Sequence, residues 1–378
     1  MSRWAIVYSS LKTHIVPVVS LAIATISFLI VPTTTSREGI TWWEAIDLQT
    51  LNLLFCLMFV IAGLRECNLF RTLASHLLKG MRHFRALALT LVMFTFFLSM
   101  LITNDVALLA MVPFSLYVLT KLQLQHHALR LTILQTLAAN LGSMATPIGN
   151  PQNLFLYTFY HIGTLDFFMV MGPITFVGAL LLLGLTWVGK NEPLTQPVDS
   201  HHLPRLTHPR KVLVLLTLFT LCLISVFRLI PHTLLFGLVF PCGLCFYRKT
   251  LQKVDYGLLL TFVAFFIFSH NIGCIPALES LLQQLLIIAP QTTAILTSQI
   301  LSNVPAAILL ANFTEHWQPL LLGVDIGGFG TLIASLASLI SFNFYLKTEA
   351  PHPWRYLFFF TLTNVLFLSV LIGLSSLL

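Results

Sequence analysis

Apolar runs long enough to cross a bilayer alternate with short polar loops along this 378-residue chain. A spanning helix needs about 20 mostly apolar residues. By that measure nine full spans are predicted, at 15–31, 47–64, 130–160, 166–188, 212–228, 232–247, 256–273, 321–343 and 356–376. Two further apolar stretches, 86–119 and 292–311, carry Thr103-Asn104-Asp105 and Ser302-Asn303-Val304 near their middles. The long polar segment 189–210 divides the chain near its centre and leaves no room for a separate soluble domain. The pattern predicts an all-α polytopic membrane protein.

Composition agrees: 57% of residues are hydrophobic and 9% charged, against about 25% charged in soluble domains. The formal charge of +7 would call for an acidic partner in a soluble protein. Here the basic residues sit in loops, where they orient helices against the lipid bilayer, and no nucleic-acid partner is expected. With nine spans, every Lys and Arg except Arg37 and Arg228 falls on one face. That face is then cytoplasmic, as is the N-terminus, and the C-terminus is external. The first run follows Arg3 and Lys12 without a small-x-small cleavage pattern, so it is expected to stay as a span. Six cysteines lie in or beside apolar runs without disulfide spacing, and the Cys242–Cys245 pair at a span end is read as packing. The loop histidines, among them His126 and His127, form no zinc-spaced cluster with cysteines, and His270 is read as interfacial.

Charge also shapes the two odd stretches. Both flanks of 86–119 are basic, so it enters and leaves on the cytoplasmic side. Its second arm, Val106 to Leu119, would reach only about 21 Å as a helix, short of a hydrocarbon core of about 30 Å. A re-entrant hairpin is expected, and a second one at 292–311 from the opposite side.

The halves repeat. Asp47 aligns with Asp255 ahead of similar apolar runs, Thr103-Asn104 with Ser302-Asn303, and Gly142, Thr146 and Ile148 with Gly327, Thr331 and Ile333. The offsets fall from 208 to 199 to 185 while element order is kept. Because the loop before Asp47 is external and that before Asp255 cytoplasmic, the copies face opposite ways, as in many secondary transporters. The predicted organisation is a first inverted repeat at 1–188, a linker with a connecting span at 189–231, and a second repeat at 232–378.

Pro147, Gly149 and Pro151 cannot continue a helix through 130–160, and Gly323, Gly327, Gly328 and Gly330 interrupt 321–343. Broken helices at membrane depth are tolerated inside protein or along a watered cavity, and their ends suit anions and Na⁺. The substrate-binding candidates are therefore Thr103, Asn104, Ser302, Asn303, Thr146, Asn150, Asn153 and Thr331, each also open to a capping reading. Candidates for cation or proton coupling are Asp105, Asp325, Asn140, Gly142 and Gly327. A carboxylate deep in a bilayer protein is a functional candidate by default. Asp105 faces Val304 in the repeat, whereas Asp325 faces Asn140. No Lys or Arg lies in these central segments, so an anion would need helix N-termini, amide donors and accompanying cations. No nucleotide loop or nucleophile with a base is found, so no enzyme and no cofactor is expected, only coupling Na⁺ or H⁺.

"TNDVALLAMVPF", "ANLGSMATPIGNPQNLF", "SNVPAAILL" and "GVDIGGFGTLIASLASLI" resemble the motifs of the ion transporter superfamily, which includes arsenite permeases, sodium/proton antiporters and divalent anion/sodium symporters. The likeness spans nearly the whole chain and is greatest to short citrate-transporter-like inner-membrane permeases. It implies a transport domain moving against a scaffold, a homodimer, a bacterial cytoplasmic membrane, and ligands at Thr103, Asn104, Ser302 and Asn303. The dicarboxylate symporters carry Ser-Asn-Thr at both tips; this chain carries Thr-Asn-Asp and Ser-Asn-Val. The leading expectation is ion-coupled transport of a small anion such as a carboxylate. A cation/proton antiporter using Asp105 or Asp325 comes second and arsenite efflux third.

Overall fold

The computed structural model describes residues 18–27, 43–188, 190–194 and 205–377. Arg3, Lys12, Arg37, the ends of the expected first span and much of the polar linker lie outside them. Among the described residues the chain is helical, apart from one isolated bridge between His83 and Pro193. Six helices are long and apolar enough to cross a membrane: α2 (Leu48–Glu66), α4 (Phe84–Leu101), α8 (Thr164–Trp187), α9 (Pro209–Val226), α12 (Tyr256–Gly273) and α18 (Pro353–Ser375). The expected first span contains the short helix α1 (Val18–Ser27), and 232–247 is the 15-residue α10 (His232–Phe246).

Two of the nine expected spans are split where glycine and proline accumulate. The first is α6 (Ala128–Met144) followed by α7 (Pro151–Phe159); the second is α16 (Trp317–Ile326) followed by α17 (Leu336–Tyr345). Both hairpin stretches are helix–break–helix units. α4 joins α5 (Asn104–Lys121) through Ile102 and Thr103, and α14 (Pro290–Leu301) joins α15 (Asn303–Ala311) through Ser302. The first hairpin stretch departs from the expectation in both arms: α4, expected as half of a re-entrant loop, is by length and composition among the helices able to cross a membrane, and α5 starts at Asn104 and runs 18 residues, through Pro113, or about 27 Å.

Helix starts keep the offsets seen in sequence. α2 begins at Leu48 and α12 at Tyr256, 208 residues later; α5 and α15 begin 199 apart; α7 and α17 begin 185 apart. Asp47 and Asp255 serve as N-caps, Asp47 accepting from the Gln49 and Thr50 amides at 2.9 and 3.1 Å and Asp255 from the Leu258 amide at 2.9 Å. Each satisfies donors that a helix start leaves unpaired, beside the positive dipole end. Packing also alternates between halves. Asn271 of α12 donates to Ser27 of α1 at 2.9 Å, while α10 lays Phe236 and Phe240 on Phe55 of α2.

The core centres on α6, where every residue from Leu131 to Met144 is buried. At the periphery, α8, α9 and α18 expose Phe176, Leu180, Leu213, Phe358 and Leu362, the apolar faces a helix presents to lipid rather than water. Glu66 closes one end of the molecule. Its carboxylate meets Lys211 and Lys253, both at 2.7 Å, so α2 is tied to α9 and to the approach to α12. The six cysteines are free thiols. His270, expected at an interface, is instead buried in α12.

Candidate functional site

Each hairpin tip docks on a helix break by one backbone hydrogen bond. The Asn104 amide donates to the Gly149 carbonyl, and the Asn303 amide to the Ala334 carbonyl, both at 3.1 Å. These carbonyls lie in non-helical stretches and would otherwise go unpaired in the interior, at a cost of several kcal/mol each in hydrocarbon. The side-chain oxygens are used locally: Asn104 Oδ1 accepts from the Asp105 amide at 2.9 Å and Asn303 Oδ1 from the Val304 amide at 3.0 Å. Neither asparagine is the N-cap of its helix, a place held by Thr103 and Ser302; each Oδ1 accepts from a chain neighbour.

The tips differ in backbone. Thr103 sits in ordinary extended geometry, but Ser302 has φ 78° and ψ 157°, a region nearly confined to glycine and costing about 1–3 kcal/mol. Its hydroxyl lies 3.3 Å from both Asn303 Oδ1 and the Ala334 carbonyl. Strain at a hairpin tip persists because the break beside it holds it in place.

Asp325 is buried in the last turn of α16. Its Oδ1 accepts from Asn150 Nδ2 at 3.0 Å and from Gln152 Nε2 at 3.2 Å. Oδ2 is buried with no hydrogen-bond partner, and none of the described ion pairs includes this carboxylate. A buried carboxylate met by neutral amides alone is costly when ionised, which equips it to take up one proton or one monovalent cation. Asn150 is also the N-cap of α7, accepting from the Asn153 amide at 2.8 Å.

The matching place in the first broken helix holds Asn140. Its Oδ1 accepts from Asn104 Nδ2 at 3.1 Å and from Ser335 Oγ at 3.2 Å, and its Nδ2 is buried without a partner. Ser335 precedes α17 as Asn150 precedes α7. Position 325 is 185 beyond 140, and position 335 is 185 beyond 150. The contacts 140–335 and 150–325 therefore exchange under one shift: the N-cap residue of each half's second helix segment meets a polar residue toward the C-terminal end of the other half's first segment. Such reciprocity is what a two-fold relation produces at an interface.

Gly142 and Gly327, expected near a coupling ion, sit where helix backbones touch. A Cβ on Gly142 would run into the Phe96 carbonyl and Ser99 Oγ; one on Gly327 would come within 2.7 Å of Ser298 Cβ. They let α6 close on α4 and α16 on α14. Asn153 turns its amide toward the carbonyls of Ser143, Met144 and Thr146 at 3.3–3.5 Å, while its Oδ1 is buried and unpaired. Thr146 donates to the Met100 carbonyl at 2.5 Å, whereas Thr331 is exposed, its amide donating to Gln299 Oε1 at 3.0 Å and its carbonyl accepting from the Ala334 amide at 3.3 Å. Asp105 is half-buried in the first turn of α5, and its side chain takes no part in the hydrogen bonds that hold Asp325.

Four residues escaped sequence reasoning. Gln299 stitches the second break, donating to the Gly327 and Phe329 carbonyls at 2.7 and 2.8 Å. Ser335 and the pair Ser99/Ser298 were within reach, because applying the 185 offset to Asn150 and the 199 offset to Ser99 finds them.

Residues 6–337 match the family model described as citrate transporter. The chain is 32% identical over 335 residues to an uncharacterized transporter of Methanocaldococcus jannaschii, covering 88% of this chain and 91% of that protein. It is also 32% identical over 321 residues to the inner membrane protein YbiR of Escherichia coli, with 84% of each chain covered. A silicon efflux transporter of Oryza sativa subsp. japonica is 32% identical over 149 residues, which is 38% of this chain and 30% of that one.

Proposed function

The chain belongs to the citrate transporter family, and on that premise we propose that it moves a small anion by ion-coupled alternating access. It is a multi-pass membrane protein and a secondary transporter rather than an enzyme. The proposal adds two inverted repeats, 1–188 and 232–378, joined by the linker and span 189–231. It places them as a homodimer in a bacterial cytoplasmic membrane, with the N-terminus inside and the C-terminus outside.

One observation carries it: the reciprocal contacts Asn140–Ser335 and Asp325–Asn150. Each broken helix is held by the other half, so a sliding of one half against the other must remake both contacts together. When a cation or proton neutralises Asp325, Asn150 and Gln152 lose an ionic acceptor and the contact loosens. The hairpin amides of Asn104 and Asn303, with Thr103, Ser302, Thr146 and Asn153 beside them, supply donors and hydroxyls for an oxyanion, and the bound cation offsets its charge.

Two observations favour other cargo. A lone carboxylate among neutral amides serves cation/proton exchange equally well, with Asp105 as a second acid. The relative named for silicon efflux favours a hydroxylated neutral solute, the class that also includes arsenous acid.

Reconstitution separates these readings. Labelled citrate, succinate or sulfate is expected to accumulate in proteoliposomes when an inward Na⁺ or H⁺ gradient is imposed. Dissipation of a pH gradient on adding Na⁺, with no anion required, would replace anion symport by antiport. Uptake is expected to vanish in Asn104→Ala and in Asn303→Ala while folded protein is retained; full activity in both would remove the hairpin tips from the site.

A further inference from the structure

Three side chains that transport leaves unused converge at the loop ends on the basic face. His126 and His127 close the short 3-10 turn Gln125–His127 between α5 and α6. Glu192 lies just beyond α8. Its Oε2 is 3.1 Å from His126 Nε2 and 3.3 Å from His127 Nε2, and the three ligand atoms all lie within 4.8 Å of one another.

The cluster is held from several directions. The Glu192 carbonyl accepts from the Phe84 amide at 2.9 Å, and the Leu194 amide donates to the Arg82 carbonyl at 2.8 Å. Between them Pro193 forms its bridge with His83. The linker start is therefore laid against the chain entering α4, which fixes the glutamate backbone. The His127 ring stacks on Phe84 with centroids 3.7 Å apart and planes 11° from parallel. Its side chain is 10% exposed, against 57% for His126, so the group has a buried wall and an open side.

Four-coordinate zinc sites use ligand bonds of about 2.0–2.2 Å, which set neighbouring ligand atoms about 3.3–3.5 Å apart. Two of the separations here stand close to that before any ion enters. Two imidazoles and one carboxylate are a donor set for zinc and its first-row neighbours, and three protein ligands leave a fourth position for water. Arg130 directs its guanidinium to the carbonyls of Leu185 and Thr186, at 2.8 and 3.3 Å, at the C-terminal end of α8 where a cation belongs.

We propose that His126, His127 and Glu192 bind one divalent transition-metal ion of the zinc class, pinning the start of the linker between the halves to the turn between α5 and α6. Transport chemistry does not enter this assignment. The full chain, purified in detergent without a histidine tag, is titrated with Co²⁺ and then Zn²⁺. The expected result is one Co²⁺ per chain with the visible absorption of a four-coordinate site, displaced by Zn²⁺. Binding should weaken at least about tenfold in Glu192→Gln and in His126→Gln, because a zinc-class site depends on each of its few protein ligands. Both side chains are partly exposed, and unchanged metal-free thermal unfolding shows that the variants fold. Lack of saturable one-to-one Co²⁺ binding, or equal affinity in the variants, would leave the cluster as a hydrogen-bonded contact and overturn the assignment.

Discussion

Asp325 and Asn140 occupy matching places at the ends of α16 and α6, and each accepts from the residue capping the other half's short helix. Geometry is shared; charge is not. Asn140 completes a neutral polar contact of the kind that stabilises a core. Each keeps one buried side-chain atom unpaired, Nδ2 of Asn140 and Oδ2 of Asp325, but only Asp325 can carry charge, so its ionised form is held at a cost that a cation or proton would relieve. A paired architecture built from one charged and one neutral copy can fold symmetrically and still couple to a single charge.

The most forceful way to break this comparison is to make the copies alike. In Asp325→Asn, gradient-driven uptake is expected to fall at least about a hundredfold, since the proposed coupling group is gone. Thermal stability should hold or rise by about 1–3 kcal/mol, as desolvation of the charge is removed. A loss of stability alongside uptake would make Asp325 a structural group. The exchange Asn140→Asp with Asp325→Asn sharpens the point: the double variant is expected to recover at least about tenfold of the uptake lost in Asp325→Asn if the places are equivalent. Failure to exceed the single variant would confine coupling to the second half.

Smaller effects test the scaffold. Gly142→Ala is expected to cost about 1–3 kcal/mol in denaturation, and more than Gly327→Ala, because its clash is with a backbone carbonyl and not chiefly with a serine side chain. Asn150→Ala should cost about 2–3 kcal/mol by removing both a cap and an amide donor to Asp325, against about 1 kcal/mol for Ser335→Ala. Least affected is the threonine pair: about 1 kcal/mol for Thr146→Ala, which loses its bond to Met100, and within about 0.5 kcal/mol for the exposed Thr331→Ala.

Sequence showed the helical class, the interruptions at Thr103 and Ser302, both helix breaks and the three offsets, because each rests on local properties: apolar length, glycine and proline, and loop charge. The points where α7 and α17 restart, after Asn150 and Ser335, were not legible in it. The functions of single residues were less visible still. Asp105 and Asp325 read alike from hydropathy, and the difference between a half-buried acid in the first turn of α5 and a buried one met by Asn150 and Gln152 is tertiary. Glu192 gave no signal beside His126 and His127, since 65 residues separate it from His127.

Charge movement on a supported membrane tests the central claim most directly, because it needs no knowledge of the substrate. Proteoliposomes adsorbed to an electrode receive a step in Na⁺ or H⁺ concentration. The wild type is expected to give a saturable transient current for one of these ions, and Asp325→Asn to give none at equal protein density. An undiminished current in Asp325→Asn would contradict the account and move coupling to another group.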